Sequence, residues 1–151
     1  MNIYFLGDLK YGRTVHSLAR LLKDYDVNFV MISHPDLAIP KEMVSELTDM
    51  GHEVTEVSSI HDVIGDLDVL YVTRVQGERF SSLDEYERLK SEYRVDVALL
   101  KQAKKSLTLM HPLPRVDEIS AECDTDPRAC YFKQAQNGVY VRMALLWGLL
   151  G

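Results

Sequence analysis

The chain has 151 residues, 46% of them hydrophobic and 26% charged, which is the composition of one globular domain with a real core. A formal net charge of −6 argues against non-specific attachment to nucleic acid or to an anionic membrane surface. No apolar run reaches the length of a bilayer span, and Met1-Asn2-Ile3-Tyr4-Phe5 lacks the basic segment and cleavage site of a secretory signal, so a cytoplasmic location is expected.

Residues 2–6 read as a short buried strand ended by Gly7-Asp8. Val15, Leu18, Ala19 and Leu22 fall at helical spacing, which predicts a helix over 13–23. Residues 28–33 form a second strand, closed by His34-Pro35. Pro40 opens a helix whose inner face is Met43, Val44 and Leu47, and Gly51 stops it. Residues 53–57 are a polar edge strand, and 59–64 a short helix. A clear buried strand, 68–72, ends in Thr73-Arg74. Residues 82–93 and 96–105 read as helices, and 107–110 as a strand ending in His111-Pro112-Leu113-Pro114. An acidic, Pro-containing loop runs to about 128, and a last apolar helix covers 137–150. Strands that alternate with helices imply an α/β domain with a mainly parallel sheet. Cys123 and Cys130 have no metal-ligand spacing around them and are expected to be free thiols.

Open α/β sheets bind ligands beyond the carboxyl ends of their strands. Three strand ends carry polar clusters: Gly7-Asp8-Leu9-Lys10-Tyr11-Gly12-Arg13-Thr14, Thr73-Arg74-Val75-Gln76, and His111-Pro112-Leu113-Pro114-Arg115. A parallel sheet puts all three on one rim, where Lys10, Arg13, Arg74 and Arg115 would face a common crevice. Arginine offers a planar fork of donors that suits a carboxylate, and two on separate strands suit a dicarboxylate. Blander readings compete. Gly7 and Gly12 serve a tight turn in any case. Asp8 is either a helix cap or a site residue. Arg74 could pair with a surface carboxylate, and Arg115 with Asp117 or Glu118. His16 reads as structural on the helix flank, and Lys104-Lys105 as a solvated face. The first cluster also approaches the phosphate-loop pattern G-x-x-x-x-G-K-[ST], but Arg13 replaces the lysine and Asp8 places a negative charge in the loop. No G-x-G-x-x-G is present to mark a dinucleotide site.

The run Gly7 to Leu18, the run Leu70 to Gln76 with Glu78-Arg79 behind it, and His111 to Ile119 resemble the second domain of aspartate carbamoyltransferases. Asp126 to Gln134 and Asn137 to Leu146 extend the resemblance over essentially all 151 residues, in the family's order. Ornithine enzymes usually carry Cys after the histidine of the third motif, so His111-Pro112 favours aspartate. The resemblance implies a Rossmann-like, three-layer α/β/α fold and carbamoyl transfer from carbamoyl phosphate to L-aspartate in pyrimidine synthesis, with no metal and no cofactor. Arg13 and Arg74 would bind the carboxylates of aspartate, helped by Lys10 and Gln76, with Thr14 in the same subsite. Carbonyls of Pro112 and Leu113 would lie near the reacting amine, and Leu113-Pro114 would be cis. Glu85 would fix a closed arrangement with a neighbouring loop or chain, although one extra residue separates Arg79 from Tyr86. The family's other domain carries a Ser-x-Arg-Thr motif, which this sequence lacks. Residues 1–151 therefore read as the aspartate-binding domain without its carbamoyl-phosphate domain, inactive alone and part of a homotrimer when complete. Two alternatives are a non-catalytic dicarboxylate or scaffold module of the same fold and a phosphate-loop nucleotide binder.

Overall fold

Short apolar runs bounded by Gly, Pro and Asp become the strands of one sheet. In the computed structural model, which describes residues 1–75 and 82–151 apart from the side chains of Leu83 and Glu85, the strands are β1 (Asn2–Leu6), β2 (Asn28–Ile32), β3 (Val54–Val57), β4 (Val69–Val72) and β5 (Thr108–Met110). They run parallel in the order β3-β2-β1-β4-β5. The helices are α1 (Arg13–Leu22), α2 (Lys41–Asp49), α3 (Leu83–Glu92), α4 (Val97–Leu100) and α5 (Tyr131–Leu150).

Successive strand side chains point to opposite faces of a sheet, so one strand can feed two cores. Ile3 and Phe5 of β1, Phe29 and Met31 of β2 and Tyr71 of β4 pack against Val15 and Ala19 of α1 and Met43 and Leu47 of α2. Their sequence neighbours Tyr4, Leu6, Ile32, Leu70 and Val72 pack on the other face with Leu89, Tyr93, Leu99 and Leu100 from α3 and α4 and the segment before it. Burial on both faces explains why the central strands are nearly continuous apolar runs. The chain is therefore a three-layer α/β/α domain of the expected class, with polar β3 at an edge. The outer edge of β5 is covered by Arg128–Cys130: Leu109 N–H donates to the Arg128 carbonyl at 2.8 Å, and Cys130 N–H to the Leu109 carbonyl at 2.8 Å.

Three boundaries differ from the sequence reading, each for a tertiary reason. The helix expected over 96–105 is a single turn, capped by the Asp96 side chain accepting from Leu99 N–H. Beyond it the chain tightens into i to i+3 turns, Gln102 N–H to the Leu99 carbonyl and Ala103 N–H to the Leu100 carbonyl, and the Arg128 guanidinium donates to the carbonyls of Leu100, at 2.7 Å, and Lys104, at 3.2 Å. The segment expected as a helix over 59–64 is two 3-10 turns, Ile60–Asp62 and Ile64–Asp66. α5 begins at Tyr131, six residues before Asn137, because Tyr131 is fully buried and its hydroxyl is held by Asp124 and Arg115. Lys104 and Lys105 lie on a solvated face, as expected, but Lys104 is also paired there: its ammonium donates to the Asp66 carbonyl and to Asp68, both at 2.9 Å. Beyond Gly138, α5 carries apolar side chains all round, and Val139, Leu145, Trp147, Leu149 and Leu150 are 53–82% exposed.

Two consequences can be measured. Gly7 has φ +117, and a Cβ there would lie 2.3 Å from the Thr73 carbonyl oxygen. Gly7→Ala should therefore cost at least about 2 kcal/mol, read as a lower denaturation midpoint at unchanged slope. Arg128 holds the Asp126 carboxyl down to about 2, against an ordinary 3.8. A depressed folded value stabilises the fold above the ordinary carboxylate range, and that contribution is lost as the pH falls toward 2. In Arg128→Met the Asp126 carboxyl should rise from about 2 toward its ordinary value by carbon NMR, the backbone N–H of residue 128 still bonding it, and the acid limb of the stability profile should flatten.

Candidate functional site

Parallel order fixes where a ligand can sit. The chain leaves β1 for β2 and β3, then returns to β4 on the other side of β1. The link through α1 covers one face of the sheet, and the link through α3 and α4 covers the other. Diverging connections open a crevice at the carboxyl ends of β1 and β4, which pair up to Leu6 opposite Val72.

Gly7 makes the turn out of β1 and touches the Thr73 backbone, too close for any side chain between them. Thr73 is buried and bonded to the Leu6 carbonyl through its N–H, at 2.8 Å, and its hydroxyl, at 3.1 Å. The loop after Gly7 is held internally. Leu9 and Lys10 N–H groups both donate to the Leu37 carbonyl, at 3.0 and 2.9 Å, and Tyr11 N–H donates to Asp8 Oδ1 at 3.0 Å. Asp8 thus caps its own turn rather than helix α1, whose preceding residue is Gly12. A Cβ on Gly12 would meet the Asp8 carbonyl at 2.4 Å. His16 bonds the Leu9 carbonyl at 2.8 Å, a structural role as the sequence suggested. The first turn of α1 has neither a side-chain cap nor an acidic residue, so its positive dipole end stays available to an anion.

The outcome is a cleft of about 200 Å³ lined by Tyr11, Gly12, Arg13, Thr14, Thr73, Arg74, His111, Pro112 and Pro114. Arg13 and Arg74 come to it from different strand ends, as expected, and both are exposed. Thr14 lines it beside Tyr71, whose phenol burial pushes up against a smaller opposing bond to Thr14. Lys10 is exposed and stands over the Tyr11 ring, 5.4 Å from its centre, next to the cleft rather than in its lining. Pro112 lines the cleft, while Leu113 packs its side chain on the α3 and α4 core. Leu113 has φ +53 and the Leu113-Pro114 bond is cis, as expected. Gln76, Glu78 and Arg79 lie outside the described residues, as does the Glu85 side chain.

Arg115 departs from the reading that put it at the crevice or on Asp117 or Glu118. Its guanidinium grips Asp124 with both terminal nitrogens and donates to the Tyr131 hydroxyl at 3.0 Å. Asp117 instead meets Lys90, and Glu118 meets His111. Tyr11, Thr73, His111 and Pro114 were not singled out as lining residues; each sits inside a motif already marked, so position on the rim was the signal. Two larger hollows suit an anion less well. The hollow of about 360 Å³ beside Lys101 and Lys105 has its Arg128 committed to Asp126. The hollow of about 410 Å³ under α5 has Lys133 as its one cation among the described residues. Among the described residues no group of three His, Cys, Asp or Glu is placed to hold a metal ion, and no helix is long and apolar enough to cross a membrane. Cys123 and Cys130 are free.

Residues 1–149 match the family model described as aspartate/ornithine carbamoyltransferase, Asp/Orn binding domain. The aspartate carbamoyltransferase catalytic subunit of Haloquadratum walsbyi is 54% identical over 145 residues, covering 96% of this chain and 48% of that protein. The catalytic subunit of M. jannaschii aspartate transcarbamoylase superposes with a TM-score of 0.92 at 44% identity, over 97% of this chain and 47% of that one. Aspartate transcarbamoylase from Trypanosoma cruzi, solved with N-(phosphonacetyl)-L-aspartic acid, gives a TM-score of 0.87 at 37% identity, over 97% of this chain and 48% of that one. The chain spans about half the length of the curated relatives it matches.

The amides of residues 9–11 are occupied, which leaves the start of α1 without the loop nest that a polyphosphate needs. Millimolar Mg-ATP should therefore leave the amide resonances of residues 7–14 unmoved; a saturable shift confined to them would restore the phosphate-loop reading.

Proposed function

Because the chain belongs to the aspartate/ornithine carbamoyltransferase family and carries its Asp/Orn-binding domain, we propose that its cleft binds L-aspartate and forms the aspartate-binding half of an aspartate carbamoyltransferase. The observation that carries this is the meeting of Arg13 and Arg74, from two neighbouring strand ends, at one small cleft beside the uncapped start of α1. Two guanidinium groups and a helix N-terminus complement two carboxylates. They would repel the side-chain ammonium of ornithine, which distinguishes the two substrates named for the family.

The reaction is attack of the aspartate amine on the carbamoyl carbon of carbamoyl phosphate, releasing phosphate and N-carbamoyl-L-aspartate. Arg13 and Arg74 hold the carboxylates, with Lys10, Thr14 and Gln76 around them. The carbonyls of Pro112 and Leu113 accept from the amine. Catalysis of this kind needs orientation of two anionic substrates and stabilisation of the developing oxyanion, not a protein nucleophile, metal or cofactor. The phosphate and carbamoyl contacts belong to a carbamoyl-phosphate domain, in the same chain or a separate one. The exposed apolar turns of α5 support docking of such a half, and the half-length match to the relatives agrees. The complete enzyme is a cytoplasmic homotrimer in this reading.

Amide NMR with succinate, an unreactive dicarboxylate, tests the site. Succinate should shift residues 10–14, 74–75 and 111–115 together, and Arg13→Ala or Arg74→Ala should each weaken it about 10- to 100-fold, the worth of a charge-assisted pair of hydrogen bonds. Shifts absent from those three segments, or indifferent to both arginines, would overturn the assignment. The 151-residue chain given carbamoyl phosphate and aspartate should form no carbamoyl-aspartate until a carbamoyl-phosphate half is added. Binding without rescue by that half would instead make it a non-catalytic dicarboxylate module.

A further inference from the structure

His111 and Glu118 are 2% and 5% exposed, titratable, and left without a task by the aspartate reading. Imidazole Nε2 lies 2.7 Å from Glu118 Oε1, and Nδ1 accepts the Leu113 N–H at 2.9 Å. An accepting Nδ1 carries no hydrogen, so the ring proton sits on Nε2 and is donated to the carboxylate. Glu118 is itself fixed. Its Oε2 accepts from the N–H groups of Val116, at 3.1 Å, and Asp117, at 3.2 Å. Its main-chain carbonyl accepts from Val95 at 2.8 Å, and Ser120 N–H donates to the Val95 carbonyl at 2.9 Å. Burial raises the Glu118 carboxyl, but the bonds from His111 and the backbone outweigh it and keep the group below its ordinary value. His111 N–H donates to Gln134 Oε1 at 3.1 Å, which ties the same residue to the first turns of α5.

Resting on the aspartate reading, we infer that His111 and Glu118 form a positioning pair for the amino-acid substrate. The carboxylate sets the tautomer of the ring, and the ring holds the Leu113 amide. That amide belongs to the left-handed residue of the 111–114 turn, so the pair fixes where the Pro112 and Leu113 carbonyls meet the substrate amine. Both side chains are almost fully buried and act through the turn, with His111 also bordering the cleft. A buried hydrogen bond from a neutral imidazole to a carboxylate adds little net stability, but it defines one geometry, which suits a turn built from main-chain acceptors.

Two substitutions divide the pair's contacts. His111→Asn can keep an acceptor near the Nδ1 position; His111→Gln can keep a donor near Nε2 but loses that acceptor. In the chain assembled with a carbamoyl-phosphate half, His111→Gln should raise the KM for aspartate about tenfold or more, the cost of one lost hydrogen bond, while His111→Asn stays within about threefold. Inhibition by succinate, which has no amine, should stay within about threefold in both. Equal losses in the two variants, or succinate weakened in parallel with aspartate, would reduce the pair to a structural one and overturn the proposal. Nitrogen NMR of the imidazole in the 151-residue chain supplies a readout that needs no ligand. A proton on Nε2 is expected, and a proton on Nδ1 overturns the proposal. A wild-type assembly that ignores aspartate would sink the aspartate reading itself, and the nitrogen spectrum separates that failure from a failure of the pair.

Discussion

The close parallel approach of β1 and β4 is the constraint on which the rest depends. Leu6 lies opposite Val72, and one residue later Gly7 passes the Thr73 carbonyl at a distance that admits no Cβ. That contact places two chain segments, separated by more than sixty residues in sequence, on one rim. It also sets the direction in which the first of them leaves the sheet, into α1 on one face. Without it, Arg13 and Arg74 would be two surface cations rather than a matched pair.

The internal hydrogen bonds of the 7–12 loop then decide what kind of anion the rim can take. Loop amides that point outward make a phosphate nest; these point inward, to Leu37 and Asp8. What remains is the start of α1 and the two guanidinium groups, a directional set for carboxylates. A single letter of sequence, arginine for lysine at position 13, hinted at this. The stronger reason, the capture of Leu9 and Lys10 by one carbonyl of the Pro35–Leu37 turn, is a contact between segments that no local pattern encodes.

Features governed by period and local chemistry were legible from the sequence. Ile3-Tyr4-Phe5-Leu6 and Val69-Leu70-Tyr71-Val72 read as buried strands because both faces are apolar, and their ends announced the rim. Arg13, Thr14, Arg74 and Pro112 came together as expected. Charged partners were not legible. Arg115, Asp117 and Glu118 are neighbours in sequence, yet each bonds something different: Asp124, Lys90 and His111. Long side chains choose partners by tertiary position, which sequence adjacency does not report. Helix ends fail for the same reason, since a buried Tyr131 held by Asp124 and Arg115 starts α5.

The far half of α5 carries a consequence of its own. From Val139 onward it has little of the domain's core against it, and a free helix of a dozen residues stands near the break-even point between nucleation cost and propagation gain. Its order is then conditional on whatever covers it. Any partner that covers it must spend part of the contact energy on fixing backbone dihedrals, so affinity responds to helix propensity as well as to complementarity. Exchanging exposed Gly148 for alanine, a change that meets no atom of this chain within 4 Å, would favour the helix in the unbound state and so shift association through entropy. Strength of association at this helix would then be, in part, a property written along the helix itself.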